Sequence, residues 1–175
     1  GSAEVHYFAG YIEASEGNLE KAEGYLRTAI ILNGSYDNAY SLLADILYEE
    51  GRYQEAIDIC DYRISVDRNL SLAWYLKGLS YRQLNKTEKA LAALKSALQI
   101  SPRDEIIRAA LEMIVDESLE LEDSRRESLS LYHQKKGDEY ETLYYADQAK
   151  YEYLNALLLN PENTDARLSY ANILE

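Results

Sequence analysis

Few residues here could do acid–base, metal or nucleophilic chemistry. The chain holds two histidines, His6 and His133, and one cysteine, Cys60. It also carries one dense acidic run, Asp116, Glu117, Glu120, Glu122 and Asp123. The histidines are 127 positions apart, with no Cys or Glu at metal-ligand spacing, so no metal site is expected. His133 stands alone on a polar segment and reads as a surface side chain. The acidic run could attract a basic partner or a divalent cation, but it lacks the central glycine of a calcium loop and reads as a solvated face. There is no Gly-rich phosphate loop, no Gly-x-Ser-x-Gly elbow and no His-Glu-x-x-His. Asn33, Asn69 and Asn85 open N-glycosylation triplets, but they sit at expected turns, where Asn is common for backbone reasons. The residues point to no catalytic group and no cofactor, and the expectation is a protein that is not an enzyme.

Composition narrows the partners. Among 175 residues, 31 acids outnumber 18 bases, giving a formal charge of −13. Such a chain repels a phosphate backbone and an anionic membrane surface, so neither nucleic acid nor membrane insertion is expected. A basic protein or peptide is favoured electrostatically. One cysteine excludes a disulfide scaffold, and 2 prolines with 8 glycines exclude a loop-rich or low-complexity chain. No apolar run is long enough to span a bilayer, and no signal segment opens the chain. Gly1-Ser2 reads as a cleavage scar, which hides any native targeting signal and leaves cytoplasmic and envelope locations both open. Residues 1–104 carry a net −4 and residues 105–175 a net −9.

The elements behind these residues show a period. Gly17-Asn18-Leu19-Glu20-Lys21-Ala22 and Gly51-Arg52-Tyr53-Gln54-Glu55-Ala56 start 34 residues apart, and Asn85-Lys86-Thr87-Glu88-Lys89-Ala90 follows at the same interval. Gly10, Ala44 and Gly78 lie in phase, as do His6, Tyr40 and Trp74, and Leu26, Cys60 and Leu94. His6 therefore reads as a packing residue, and Cys60 as a buried, inert thiol. Each unit reads as two amphipathic helices. In the third, Trp74, Lys77, Gly78 and Tyr81 give one helical stripe, and Ala90, Leu91, Leu94, Ala97 and Leu98 give the other. Gly78 and Ala90 permit close approach of the two helices, Gly or Asn supplies the turn between them, and Pro102 ends the second.

This pattern resembles the tetratricopeptide repeat (TPR) family. The third unit carries nearly the whole motif in Trp74, Gly78, Tyr81, Ala90, Leu94, Ala97, Leu98 and Pro102. Gly34 and Arg68 stand where proline is usual, Glu13 where an aromatic is usual, and Arg63 where alanine is usual. A fourth match follows in Gly137, Ala149, Tyr153, Ala156, Leu157, Leu159 and Pro161, and Asp165–Ala171 begins a further first helix. Pro102 and Pro161 are 59 residues apart, so 25 residues interrupt the period, roughly Glu105 to Leu129. Ile106, Ile107, Ala110, Leu111, Met113 and Ile114 make a helix of 105–121. An odd helix reverses chain direction, so a bend or a second short stack is expected near 122–128.

The resemblance implies an all-α fold, a right-handed superhelix of antiparallel helix pairs interrupted by one extra helix. Its divisions are three units in 1–104 (about 3–36, 37–70 and 71–104), the insertion 105–129, a fourth unit 130–163 and a further helix from 164. In this family the first helix of each pair lines an inner face. The inner phases here hold Tyr7, Tyr11 and Ala14; Ser41, Asp45, Tyr48 and Glu49; and Leu72, Tyr75, Leu79, Arg82 and Gln83. Tyrosine offers a broad ring with a polar tip at small entropic cost, which suits a binding groove. The expected contacts are Tyr7, Tyr11, Asp45, Tyr48, Glu49, Leu72, Tyr75, Leu79 and Arg82, holding a peptide or helix of a partner protein within an assembly. Nothing in the repeat's own packing calls for Leu72 or Leu79. One TPR subclass clamps chaperone C-terminal carboxylates with Lys, Arg and Asn; Tyr7, Tyr11, Leu42, Leu72 and Leu76 at the matching phases cannot form that clamp. Two other readings are self-association through exposed repeat ends, as in bacterial envelope or motility machines, and a secretion-type TPR chaperone.

Overall fold

A computed structural model describes residues 1–174. Ten helices follow one another: α1 (Ala3–Ser15), α2 (Leu19–Leu32), α3 (Asp37–Glu49), α4 (Tyr53–Val66), α5 (Ser71–Gln83), α6 (Thr87–Ile100), α7 (Glu105–Ser118), α8 (Arg125–Thr142), α9 (Ala146–Leu159) and α10 (Thr164–Leu174). There is no strand among the described residues. The fold is all-α, built from antiparallel helix pairs with α7 as an unpaired insertion.

The turn within each pair is the same device used four times. Gly17, Gly51, Asn85 and Tyr144 all have positive φ, between 56° and 81°. The amide one residue further reaches back five residues, as in Asn18 N–H to Glu13 O (2.8 Å) and Tyr145 N–H to Tyr140 O (2.9 Å). This closes the helix end by satisfying carbonyls that no intrahelical amide can reach. The turns between pairs use a second device. Asn33, Asp67 and Asn160 accept from the amide two residues on, at 2.8–3.0 Å.

Close approach inside a pair depends on glycine. A Cβ on Gly78 would sit 2.7 Å from Leu94 Cγ and 3.3 Å from the Ala90 carbonyl. A Cβ on Gly137 would sit 2.6 Å from the Tyr153 ring.

The chain forms two compact units, Gly1–Leu111 and Glu112 onward. In the first, Ala22, Leu26, Ala29, Ala39, Leu43, Ile46, Leu47 and Ala56 make one core, continued by Ala44, Cys60, Ile64 and Leu76. In this unit α3 adjoins both α1 and α5, while α2 packs on α3 and α4 on α5. The second unit is centred on Ala149, Tyr153, Ala156 and Ala166. The division between units falls inside α7, earlier than the 122–128 segment suggested by the broken period. Helix α8 also starts at Arg125, ahead of residue 130. The reason is Arg126, which is buried and donates to the Val115, Asp116 and Leu119 carbonyls at 3.2, 3.3 and 2.9 Å. It caps the end of α7 and anchors the first turn of α8 there.

Candidate functional site

The predicted contact residues fall on α1, α3 and α5. Their geometry divides them into two groups. Around Tyr48 and Tyr75 the carboxylate of Asp45 is half-buried and has no hydrogen-bond or ion-pair partner among the described residues. Burial, reinforced by the charge of Glu49, lifts its pKa from 3.8 to about 6. Tyr48 packs edge-on against Tyr53 at 5.4 Å, and its hydroxyl accepts from Gln83 Nε2 at 3.1 Å. The Tyr75 phenol is pushed above its ordinary value, first by burial and then by Tyr48, Asp104 and Asp45. Asp45, Tyr48 and Tyr75 thus share one electrostatic neighbourhood. Glu49 is exposed, and Leu79 and Arg82 are half-buried on the same helical stripe as Tyr75.

The second group is at α1. Tyr7 packs edge-on against Tyr36 and Phe8, both at 5.3 Å between ring centres, and lies 6.4 Å from Tyr11. Tyr11 is itself exposed. Leu72 is 48% exposed and borders a cavity of about 40 Å³ that Tyr40, Ser41, Cys60, Arg63 and Leu76 also line. Burial pushes the Cys60 thiol up to about 12, which keeps it protonated and unreactive.

His133 is not a surface side chain. It is 6% exposed and bridges two carboxylates, with Nδ1 2.6 Å from Glu152 Oε2 and Nε2 3.0 Å from Glu112 Oε1. Lys136 Nζ lies 3.0 Å from the other oxygen of Glu152. Burial opposes a charge on the imidazole, but hydrogen bonds to Glu112 and Glu152 outweigh it and raise the pKa above 6.5. As imidazolium, His133 donates from both nitrogens. A signal for this burial exists: the 59-residue shift that carries Gly78 onto Gly137 also carries Trp74, a packing position, onto His133. Among the described residues no group of three His, Cys, Asp or Glu side chains is arranged to hold a metal ion. No helix among them is long and apolar enough to cross a membrane.

The repeated left-handed turn, the glycine-dependent helix contact and the 34-residue period decide the fold, and comparison with known proteins agrees. The chain has the tetratricopeptide-repeat fold. A family model described as anaphase-promoting complex, cyclosome, subunit 3 matches residues 15–97. A TPR repeat-containing protein of Methanocaldococcus jannaschii is 28% identical over 127 residues, covering 71% of this chain but 22% of that protein. The chain thus spans about a fifth of the curated relative it matches. A TPR protein of Thermus thermophilus superposes with TM-score 0.60 at 17% identity, covering 99% of both chains. The first TPR domain of Spaghetti (RPAP3), solved with an HSP90 peptide, superposes with TM-score 0.63 at 16% identity, covering 66% of this TPR chain and 92% of that one.

Proposed function

We propose that this TPR chain is a protein-interaction module whose first unit holds a basic peptide or helix of a partner protein against α1, α3 and α5, within a larger assembly. The observation that carries this reading is Asp45. A half-buried carboxylate with no cation beside it costs stability at neutral pH, because its charge is desolvated without compensation. A Lys or Arg from a partner, placed between Tyr48 and Tyr75, supplies that compensation, and the rings offer cation–π contact as well. Solved TPR neighbours bound to an HSP90 peptide or in a pHSP90 complex support the general mode of peptide capture. The motif of that capture differs here, since Tyr7, Tyr11, Leu42, Leu72 and Leu76 cannot clamp a C-terminal carboxylate.

The test pairs two variants of the native-length protein in affinity capture from its own cells. Tyr75→Ala with Leu79→Ala removes the apolar floor, and Asp45→Arg reverses the central charge. Both are expected to lose the captured partner while melting within a few degrees of the parent. Undiminished capture by Asp45→Arg would falsify the basic-partner reading, and undiminished capture by both would remove the groove from consideration.

A further inference from the structure

Tyr144 is the anomaly among the four equivalent turns. Gly17, Gly51 and Asn85 are residue types that tolerate positive φ, whereas Tyr144 holds φ 61° with a bulky side chain. The residue is 94% exposed, so its side chain finds little packing among the described residues to offset the strained backbone. Leu143 and Tyr145 beside it are 60% and 53% exposed.

The outer stripe of α9 continues this surface. Tyr151, Leu154 and Leu158, at helical spacing, are 64%, 41% and 70% exposed. The same three phases are exposed on every second helix of the first unit, so no neighbouring repeat covers them. There they are Gly24, Arg27 and Ile31 on α2, Asp58, Asp61 and Ser65 on α4, and Ala92, Lys95 and Gln99 on α6. Only on α9 are all three large and apolar. This differs from the exposed face of α1, where Phe8 and Ile12 occupy the phases of Leu76 and Ile46, which preceding helices bury.

Charge selects the occupant. Asp147 lies on the same stripe one turn before Tyr151, Asp138, Glu139, Glu141 and Glu162 are exposed on the adjoining segments, and Lys150 is the one base between Asp138 and Glu162. Exposed tyrosine rings amid carboxylates suit arginine and lysine side chains, which stack on the ring face and pair with the acids. A contiguous apolar patch rimmed by charge is the ordinary form of a docking site, with tyrosine as its anchor. We propose that the turn Leu143–Tyr145 and the outer stripe of α9 form a second docking surface, separate from the face of α1, α3 and α5, for a cationic amphipathic segment of a partner protein.

The experiment uses a synthetic amphipathic helix of leucine and arginine, and its arginine-to-glutamate counterpart, titrated into the isotopically labelled chain. Binding of the arginine peptide is expected to shift the amide signals of Leu143, Tyr144, Tyr151, Leu154 and Leu158, and the glutamate peptide to leave them in place. Tyr144→Gly restores the residue of the sibling turns. It is expected to raise the melting temperature and yet weaken the arginine peptide about tenfold or more, the size of a hot-spot loss. Leu158→Gln, which copies α6, weakens it independently of the turn. Tyr75→Ala leaves these shifts unchanged. Equal affinity in Tyr144→Gly, shifts confined to Tyr48, Tyr75 and Leu79, or concentration-dependent shifts of Tyr144 without peptide, which signal a second copy as occupant, each overturn the proposal.

Discussion

The two units solve one packing problem with different chemistry. At the phase of His6, Tyr40 and Trp74 the first unit uses a ring whose polar atom returns to its own backbone: His6 Nδ1 lies 3.0 Å from Ser2 O, Tyr40 Oη donates to Gly34 O at 3.2 Å, and Trp74 Nε1 donates to Arg68 O at 3.0 Å. At the same phase the second unit uses His133, held by Glu112 of α7 and Glu152 of α9. The aromatic solution is self-contained within a repeat. The ionic solution takes a ligand from α7, the helix that has no partner in the repeat pattern. In the second unit, then, an inserted helix is tied to a repeat by a buried ionic bridge, where the first unit ties repeat to repeat by an apolar core with ion pairs such as Arg52–Glu23 at its more exposed edge. Apolar contacts tolerate a volume-conserving change in either partner. A buried ionic bridge fails when one member is lost, because the other charges stay desolvated.

The largest effect follows from that asymmetry. His133→Ala strands Glu152, which is 4% exposed, and is expected to cost the second unit about 3 kcal/mol. The cost sits at the low end for a broken buried pair because Lys136 remains 3.0 Å from Glu152. Replacing His133, Glu112 and Glu152 together with apolar residues is expected to restore most of the loss. Denaturant unfolding, followed by amide exchange in α8 and α9, separates this from the first unit. A single-site cost no larger than that of the triple replacement would show that the bridge carries no special stake.

A second contrast concerns the glycines at the helix contacts. Gly137→Ala drives a Cβ into the Tyr153 ring, which is fully buried and whose hydroxyl donates to Asp138 and Glu141 at 2.8 and 2.7 Å. The ring is fixed at both ends and cannot yield. Gly78→Ala meets Leu94, whose isobutyl group has rotamers to try. Overpacking costs roughly 1–3 kcal/mol, with Gly137→Ala expected near the top and Gly78→Ala near the bottom. Tyr153→Leu, which copies Leu94, is expected to recover part of the Gly137→Ala loss. Equal melting shifts for the two glycine variants would mean that the ring moves as freely as the aliphatic side chain.

These pairs show what was legible in the sequence. The helix pairs, the close glycine contacts and the insertion all follow from one period and its 59-residue displacement. The same displacement takes Trp74 to His133 and Asn85 to Tyr144, but histidine invites a chemical reading and tyrosine an aromatic one, which hides their places in the repeat. Glu112 was beyond reach because α7 has no counterpart to read it against. For Asp45 the helix and face were legible from phase, whereas the lack of a cation near it depends on which long side chains from neighbouring helices reach that spot, and spacing does not determine that.

The smallest effect separates the units by pH. In the first, Asp45 has a folded pKa of about 6 against 3.8 for an ordinary carboxyl, so between those values the folded state keeps a proton that the unfolded chain has released. Stability therefore falls as pH rises through this window and levels off above it. In the second unit His133 is raised above 6.5, so its contribution is complete below that value and is lost as pH climbs through the folded pKa. Both contributions fall with rising pH, but in successive windows. Amide protection in α3 and α5, corrected for intrinsic exchange, is expected to drop in the acidic window and that in α8 and α9 in the later one. Asp45→Asn abolishes the first drop and spares the second, while His133→Phe does the reverse. The Asp45 effect is the lesser of the two because its carboxylate is only half-buried and water screens part of the cost. One shared window, unchanged by either substitution, would mean that neither group sets the stability of its own unit.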